Sequence, residues 1–277
     1  MSYSQATVPS SPARRSPFVL FAGVLAVLAV LALGGSVDLR EPPGDNAAGL
    51  ELVKSLDLAG EYSVVLHEHA TGERVVAYRA DEAHPSQSTV KILIAVVALE
   101  QGTDPDTVAE MLTASDDEIA SRLWSEFGGP DIVSTMAVRM GLKHTSGPAD
   151  WGRWGDTRVS AADMVRVYAF LHGSLDEDLR KVVMDALVGM APTGADGFDQ
   201  TFGLPRAGGP GPWAVKQGWA CCAPDRNLVT TGTLTGDRRY TAAVFGSWDS
   251  DEVGWEEAAE EISAVSEALV ERVPAVE

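Results

Sequence analysis

Residues 92–99 read Ile-Leu-Ile-Ala-Val-Val-Ala-Leu, and Lys91 stands directly before them. An uninterrupted apolar stretch of helical length has no solvent face, so it must run through the middle of a core. The pattern predicts a helix from Thr89 to Gln101. Whatever stands at its entry is carried into the interior, and here that is Ser88 and Lys91, three residues apart on one helix face. A lysine removed from water loses part of its preference for the charged form and becomes able to accept a proton. The chain has only five lysines, at 54, 91, 143, 181 and 216, and carries most of its positive charge on arginine, so a lysine at this position is not surface decoration. Ser88 could also serve as the helix N-cap.

The elements around this helix come in an informative order. Residues 46–58 carry Leu50, Leu52, Val53 and Leu56 at near-helical spacing. Two β-rich runs then flank Ala70-Thr71-Gly72-Glu73, a hairpin signal. From about 86 to 208 the pattern is mostly helical, over Thr89–Gln101, Pro105–Thr113, Asp116–Glu126, Pro130–Met140, Ser160–Leu171 and Asp176–Met190. Three strands follow, at Trp213–Lys216, Leu228–Thr235 and Tyr240–Trp248. Glu252–Val273 is a final amphipathic helix. The early and late strands must meet in one antiparallel sheet if neither set is to expose its edges. This is an α+β architecture, with helices flanking the sheet and an inserted all-helical subdomain at 86–208. The cleft between sheet and insertion is the natural site.

At the N-terminus, residues 1–15 end in Arg14 and Arg15, and Phe18 to Leu33 then runs without a polar side chain. The run is long for a signal-peptide core and slightly short for a membrane span. Arginines ahead of it stay in the cytoplasm, so the rest of the chain is exported. We read 1–15 as cytoplasmic, 16–36 as a transmembrane signal-anchor, 37–46 as a linker and 47–273 as the folded domain. The expected location is the cell membrane, single-pass with the domain outside, or secreted if the segment is cleaved near Ala32-Leu33-Gly34. A lipid-modified cysteine is excluded, because no cysteine follows the run until Cys221 and Cys222. That adjacent pair could form a vicinal disulfide, bridge two chains or remain as thiols. It cannot make a zinc site, and neither a metal nor an organic cofactor is expected. Twenty-one basic residues against 40 acidic ones leave a net charge of −19. That balance repels phosphate backbones, so nucleic acid is excluded as a partner. The chain is expected to act as a monomer.

Three short motifs carry the chemistry. Ser88-Thr89-Val90-Lys91 opens the apolar helix, Ser115-Asp116-Asp117 starts another, and Lys216-Gln217-Gly218 closes the strand from Trp213. Each alone has an ordinary structural explanation: a cap, an acidic first turn, an edge lysine before a turn glycine. Together they resemble the S-x-x-K, S-D-N and K-T-G motifs of the penicillin-recognising serine enzymes, the class A β-lactamases and related penicillin-binding proteins. MLTASDDEIASRLWSEFGGPDIVSTMAVRMGL is similar to the family's stretch around its second motif, and TRVSAADMVRVYAFL to the helix after its active-site loop. The resemblance covers roughly residues 47–273 and implies the class A β-lactamase-like fold. It implies Ser88 as acyl-accepting nucleophile, Lys91 as general base and Ser115 as proton relay to the leaving group. Lys216 would hold a substrate carboxylate, Gly218 would let the strand approach the substrate, and the backbone N–H groups of Ser88 and Trp219 would form the oxyanion hole. Asp117 and Gln217 would touch a small-molecule or peptidoglycan-type substrate.

Three departures qualify that implication. Asp117 stands where the family has an asparagine that donates to the substrate, and a carboxylate cannot donate. Gln217 replaces a smaller hydroxyl residue. The class A loop with its E-x-x-L-N signature, source of the glutamate that activates the deacylating water, is missing between Lys143 and Thr157. Asp150, Asp156 and Glu118 are the nearby acids, and no role carries onto them. Trp151 and Trp154 in that loop either line the cleft or pack, and packing is the expected role. Acylation chemistry is expected; efficient β-lactam hydrolysis is not.

Overall fold

The computed structural model describes residues 44–209, 212–222, 225–234 and 240–274. The Asn46 side chain caps helix α1 (Ala47–Ser55) by accepting the Gly49 N–H, and the same oxygen takes the Ala77 N–H, fixing the helix to the sheet. Strands β1 (Glu61–Glu68) and β2 (Glu73–Tyr78) form the hairpin expected around Gly72. Strands β5 (Trp213–Ala220), β6 (Arg226–Leu234) and β7 (Tyr240–Trp248) complete one antiparallel sheet in the order β2-β1-β7-β6-β5. The junction of early and late strands is β1 with β7, where Val64 faces Val244.

Alternation along these strands divides the interior. Tyr62, Val64, Leu66 and Val244 point to one face and pack with Leu52 of α1 and with Ile262, Val265 and Leu269 of the closing helix α9 (Trp255–Val270). Val65, Ala77, Ala243 and Phe245 point the other way, into the helical block. That block contains α2 (Lys91–Glu100), α3 (Pro105–Thr113), α4 (Asp117–Glu126), α5 (Pro130–Met140), α6 (Ala161–Gly173) and α7 (Glu177–Val188). Helix α2 runs through it with every residue from Lys91 to Val96 buried. A short helix α8 (Leu204–Ala207) precedes β5.

Several details differ from the sequence reading. The Ser88 segment is a tight 3-10 turn, Gln87–Val90, and Val90 occupies the cap position of α2, so Ser88 is not an N-cap. Strand β5 runs four residues beyond Lys216, which puts Lys216, Gln217 and Gly218 in its interior. A small ladder of β3 (Ala83–Pro85) and β4 (Arg158–Ser160) was not expected, because three residues are too few to display a period. Cys221 and Cys222 form a vicinal disulfide, exposed just beyond β5. Among the described residues no helix is long and apolar enough to cross a membrane. The segments read as cytoplasmic (1–15) and membrane-spanning (16–36), with most of the linker, lie outside the described residues.

Candidate active site

The turn that carries Ser88 is held in an uncommon conformation. Gln87 has φ +49°, and Ser115 across the cleft has φ +54°. Non-glycine residues reach this region only where the surroundings impose it, at a cost of about 1–3 kcal/mol each. At Ser115 the result is that both its carbonyl and its hydroxyl face the end of Lys91. The α4 cap is Asp116, which accepts the Ile119 N–H, so the capping role belongs to Asp116 and leaves the Ser115 hydroxyl free for the cleft.

Lys91 Nζ lies 2.9 Å from Ser88 Oγ, 2.7 Å from the Ser115 carbonyl, 3.1 Å from Ser115 Oγ and 2.5 Å from Asp117 Oδ1. An ammonium has three donors and faces four acceptors here; a neutral amine would instead accept from a hydroxyl. The site is therefore built for proton exchange. Burial pulls the Lys91 pKa below its ordinary value, and the Asp117 carboxylate opposes that pull. Lys216 Nζ donates to Ser115 Oγ at 2.8 Å and to the Gln217 carbonyl at 3.1 Å. Complete burial, and then the charge on Lys91, hold Lys216 well below the usual lysine range. Ser88, Lys91, Ser115 and Lys216 thus form one hydrogen-bonded chain, supplied by the 3-10 turn, α2, the α3–α4 junction and β5.

Gly218 is required where it stands. A Cβ there would lie 2.8 Å from Gln87 Cβ and 3.0 Å from the Ser88 nitrogen, so only glycine lets β5 close onto the Ser88 turn. Gln217 points through the sheet to its other face. Its amide donates to the Gln200 and Phe202 carbonyls, which turns this side chain away from the cleft and corrects the expectation that it touches substrate there. Trp219 stacks on Phe198, with centroids 4.8 Å apart, and its indole donates to Asp196. Asp117 is the first residue of α4 and its side chain is 67% exposed, so it meets both Lys91 and the open groove. Asp150 accepts the Gly152 N–H and Asp156 is held by Arg153. Trp154 was read as packing only. Its ring does join the helical core, but Lys91 Nζ also sits 4.8 Å above the ring centroid. Nothing in a loop of irregular spacing signals such a contact.

Solved structures of the same shape exist. A class A β-lactamase from Bacteroides cellulosilyticus superposes with a TM-score of 0.66 at 13% identity, over 82% of this chain and 98% of that one. The chain has the class A β-lactamase fold. An ancestral class A β-lactamase matches with a TM-score of 0.62 at 21% identity, over 81% of this chain and 98% of that one. An acyl-enzyme complex of a PBP-A variant with penicillin G matches at 0.64 and 16% identity, covering 83% and 98%. No family model matches the sequence. By sequence the chain is 35% identical over 203 residues to "Putative lipoprotein LppW" of Mycobacterium bovis and of Mycobacterium tuberculosis. That match spans 69% of this chain and 64% of the relatives' length, just under two thirds of each relative. On this β-lactamase-like scaffold, the four-residue chain sits in the cleft between the sheet and the helical block.

Proposed function

We propose that the protein is an extracytoplasmic serine acyl-transfer enzyme acting on a small-molecule or peptidoglycan-type substrate. The supporting observation is the hydrogen-bonded chain Ser88–Lys91–Ser115–Lys216. Ser88 Oγ attacks the substrate carbonyl carbon while neutral Lys91 takes its proton. Ser115 gives its proton to the leaving group as that bond breaks, and recovers one from Lys91. Lys216 holds Ser115 in place for this exchange. The Ser88 and Trp219 amides receive the oxyanion. Lacking the family's activating glutamate, the acyl-enzyme is slow to hydrolyse, so a β-lactam acylates Ser88 and stays attached. The penicillin G adduct of the PBP-A variant, on a similar scaffold, supports this reading. We further propose that residues 16–36 anchor the chain with residues 47–273 outside the cytoplasm; the lipoprotein name of the LppW relatives supports an address in the cell envelope.

A second reading is a binding protein without turnover. The 2.5 Å contact of Asp117 with Lys91 favours it, because a carboxylate there stabilises the ammonium and removes the base. Intact-protein mass spectrometry after incubation with penicillin G separates the two. Acyl transfer requires a stable adduct on the wild type and none on Ser88→Ala. An unmodified wild type that still binds the drug establishes the second reading.

A further inference from the structure

The turn Trp154–Asp156 is tied to the nucleophile turn. The Ser86 N–H donates to the Thr157 carbonyl at 2.7 Å, and the Ser86 hydroxyl reaches the Gly155 carbonyl at 3.4 Å. The Arg153–Asp156 pair closes the turn on itself. From this base the Trp154 indole lies against the Lys91 ammonium, 4.8 Å from ring centroid to Nζ, and its N–H donates to the Ser121 hydroxyl of α4 at 3.1 Å. Both ends of the ring are therefore fixed, one by its loop and one by α4. Lys91 beside it is wholly buried, and Ser88, 2.9 Å from Lys91 Nζ, is only 6% exposed. An indole face offers no lone pair to hold a water and none to activate one.

We infer that Trp154 is a positioning residue that caps the Ser88–Lys91 pair and keeps water from an ester on Ser88, which makes the acyl-enzyme long-lived. The inference rests on the acyl-transfer reading above. Hydrolysis adds water across the ester. The water oxygen bonds to the acyl carbon, the bond from that carbon to Ser88 Oγ breaks, and one water proton ends on Oγ while the other leaves with the released acid. With the family's glutamate absent, Lys91 is the proton acceptor left to serve this step, so the access of water to it sets the rate. The ring also shields that acceptor. Removing it admits water to the ester and to the amine together.

The test uses the full-length chain as wild type, Trp154→Phe, Trp154→Ala and Ser121→Ala, each checked for folding by thermal melt. Each protein is loaded with penicillin G and the adduct is followed by intact mass. In parallel, unloaded protein is treated with formaldehyde and cyanoborohydride, and methylation of Lys91 is read by peptide mass. The expected result is an adduct half-life at least tenfold shorter in Trp154→Ala and shorter to a lesser degree in Ser121→Ala, which frees the ring without touching the core. Trp154→Phe should retain the wild-type lifetime. Lys91 should methylate at least tenfold faster in Trp154→Ala than in wild type. Equal adduct lifetimes in all four proteins overturn the inference while leaving acylation standing. Absence of any adduct overturns the acyl-transfer reading instead, and unchanged Lys91 methylation then overturns the cap. If Trp154→Ala does not fold, Ser121→Ala decides by the same two readouts.

Discussion

The molecule contains two dense polar networks of opposite character. Under α9, Glu261 accepts from the Ala59 and Gly60 amides, from Tyr62 Oη at 2.8 Å and from Trp248 Nε1 at 2.9 Å. Every donor has one destination, and each comes from a rigid strand, turn or ring. Burial pushes the Glu261 pKa up, but the donors from Trp248, Ala59, Tyr62 and Gly60 outweigh it and leave the carboxyl below its ordinary value. In the cleft the accounting differs. Lys91 meets more acceptors than it has hydrogens, and two amines share one serine hydroxyl. A network with a single solution holds a structure together. One with several equivalent proton placements can move a proton at little cost.

The sharpest way to break the contrast is to remove a charge from each. Lys91→Met should abolish adduct formation, a loss of about 10²–10⁴-fold in acylation rate, the usual value of a positioned base. The same change should leave stability level or raise it by roughly 1 kcal/mol, because a buried amine gives way to a methionine that fills the space. Glu261→Ala should do the reverse. It removes the acceptor of four donors, of which the exposed Ala59 amide can turn to water, and should cost about 2–3 kcal/mol in chemical denaturation, with acylation per folded molecule unchanged. Equal losses of stability from both would erase the distinction.

Acid sharpens the comparison a second way. His67 lies on the cleft side of the sheet, and burial, then the neighbouring His69, Arg74 and Arg166 charges, pull its pKa from 6.5 to about 4. His69 and His84 are also lowered by burial. A histidine depressed in the folded state binds its proton more readily when unfolded. Stability is therefore whole above pH 6.5 and falls as pH drops toward 4, by roughly 3 kcal/mol from His67 alone. The depressed Glu261 keeps its full contribution down to about its unfolded value of 4.5 and loses it as pH falls from there through its folded pKa. Urea midpoints between pH 7 and pH 4 should drop steeply in the wild type and less steeply in His67→Asn.

The smallest effect concerns Asp117. Asp117→Asn removes the carboxylate that favours the Lys91 ammonium, so the pKa of Lys91 falls and the ascending, acid-side limb of the acylation profile moves to lower pH. About tenfold in rate at neutral pH is the expected size. A slower Asp117→Asn at every pH would show that Asp117 serves the reaction rather than restraining it.

Much of this was legible in the sequence. The bounds of α3, α5 and β7 follow from their pattern, and the apolar helix marks the buried lysine. The order of elements gives the sheet. The missing parts have physical reasons. Gln217 was assigned to the cleft by the resemblance to the family's third motif; within the longer strand, period two sends Lys216 and Gly218 one way and Gln217 the other. The Asp117–Lys91 contact joins residues 26 apart that no local rule relates. Glu261 is one acid among several in Trp255–Glu261, and only the fold selects it. Trp154 sits in a loop, where spacing carries no direction.

The junction of β1 with β7 pairs residues 61–68 with 240–247. Contacts so distant in the chain form late and make folding slow. A chain emerging N-terminus first therefore carries Ser88 and Lys91 long before it carries the strands that shape the cleft. A fragment cut before Tyr240 would contain Ser88, Lys91, Ser115 and Lys216 and still have no site. The assembly of the site is timed by the arrival of β7.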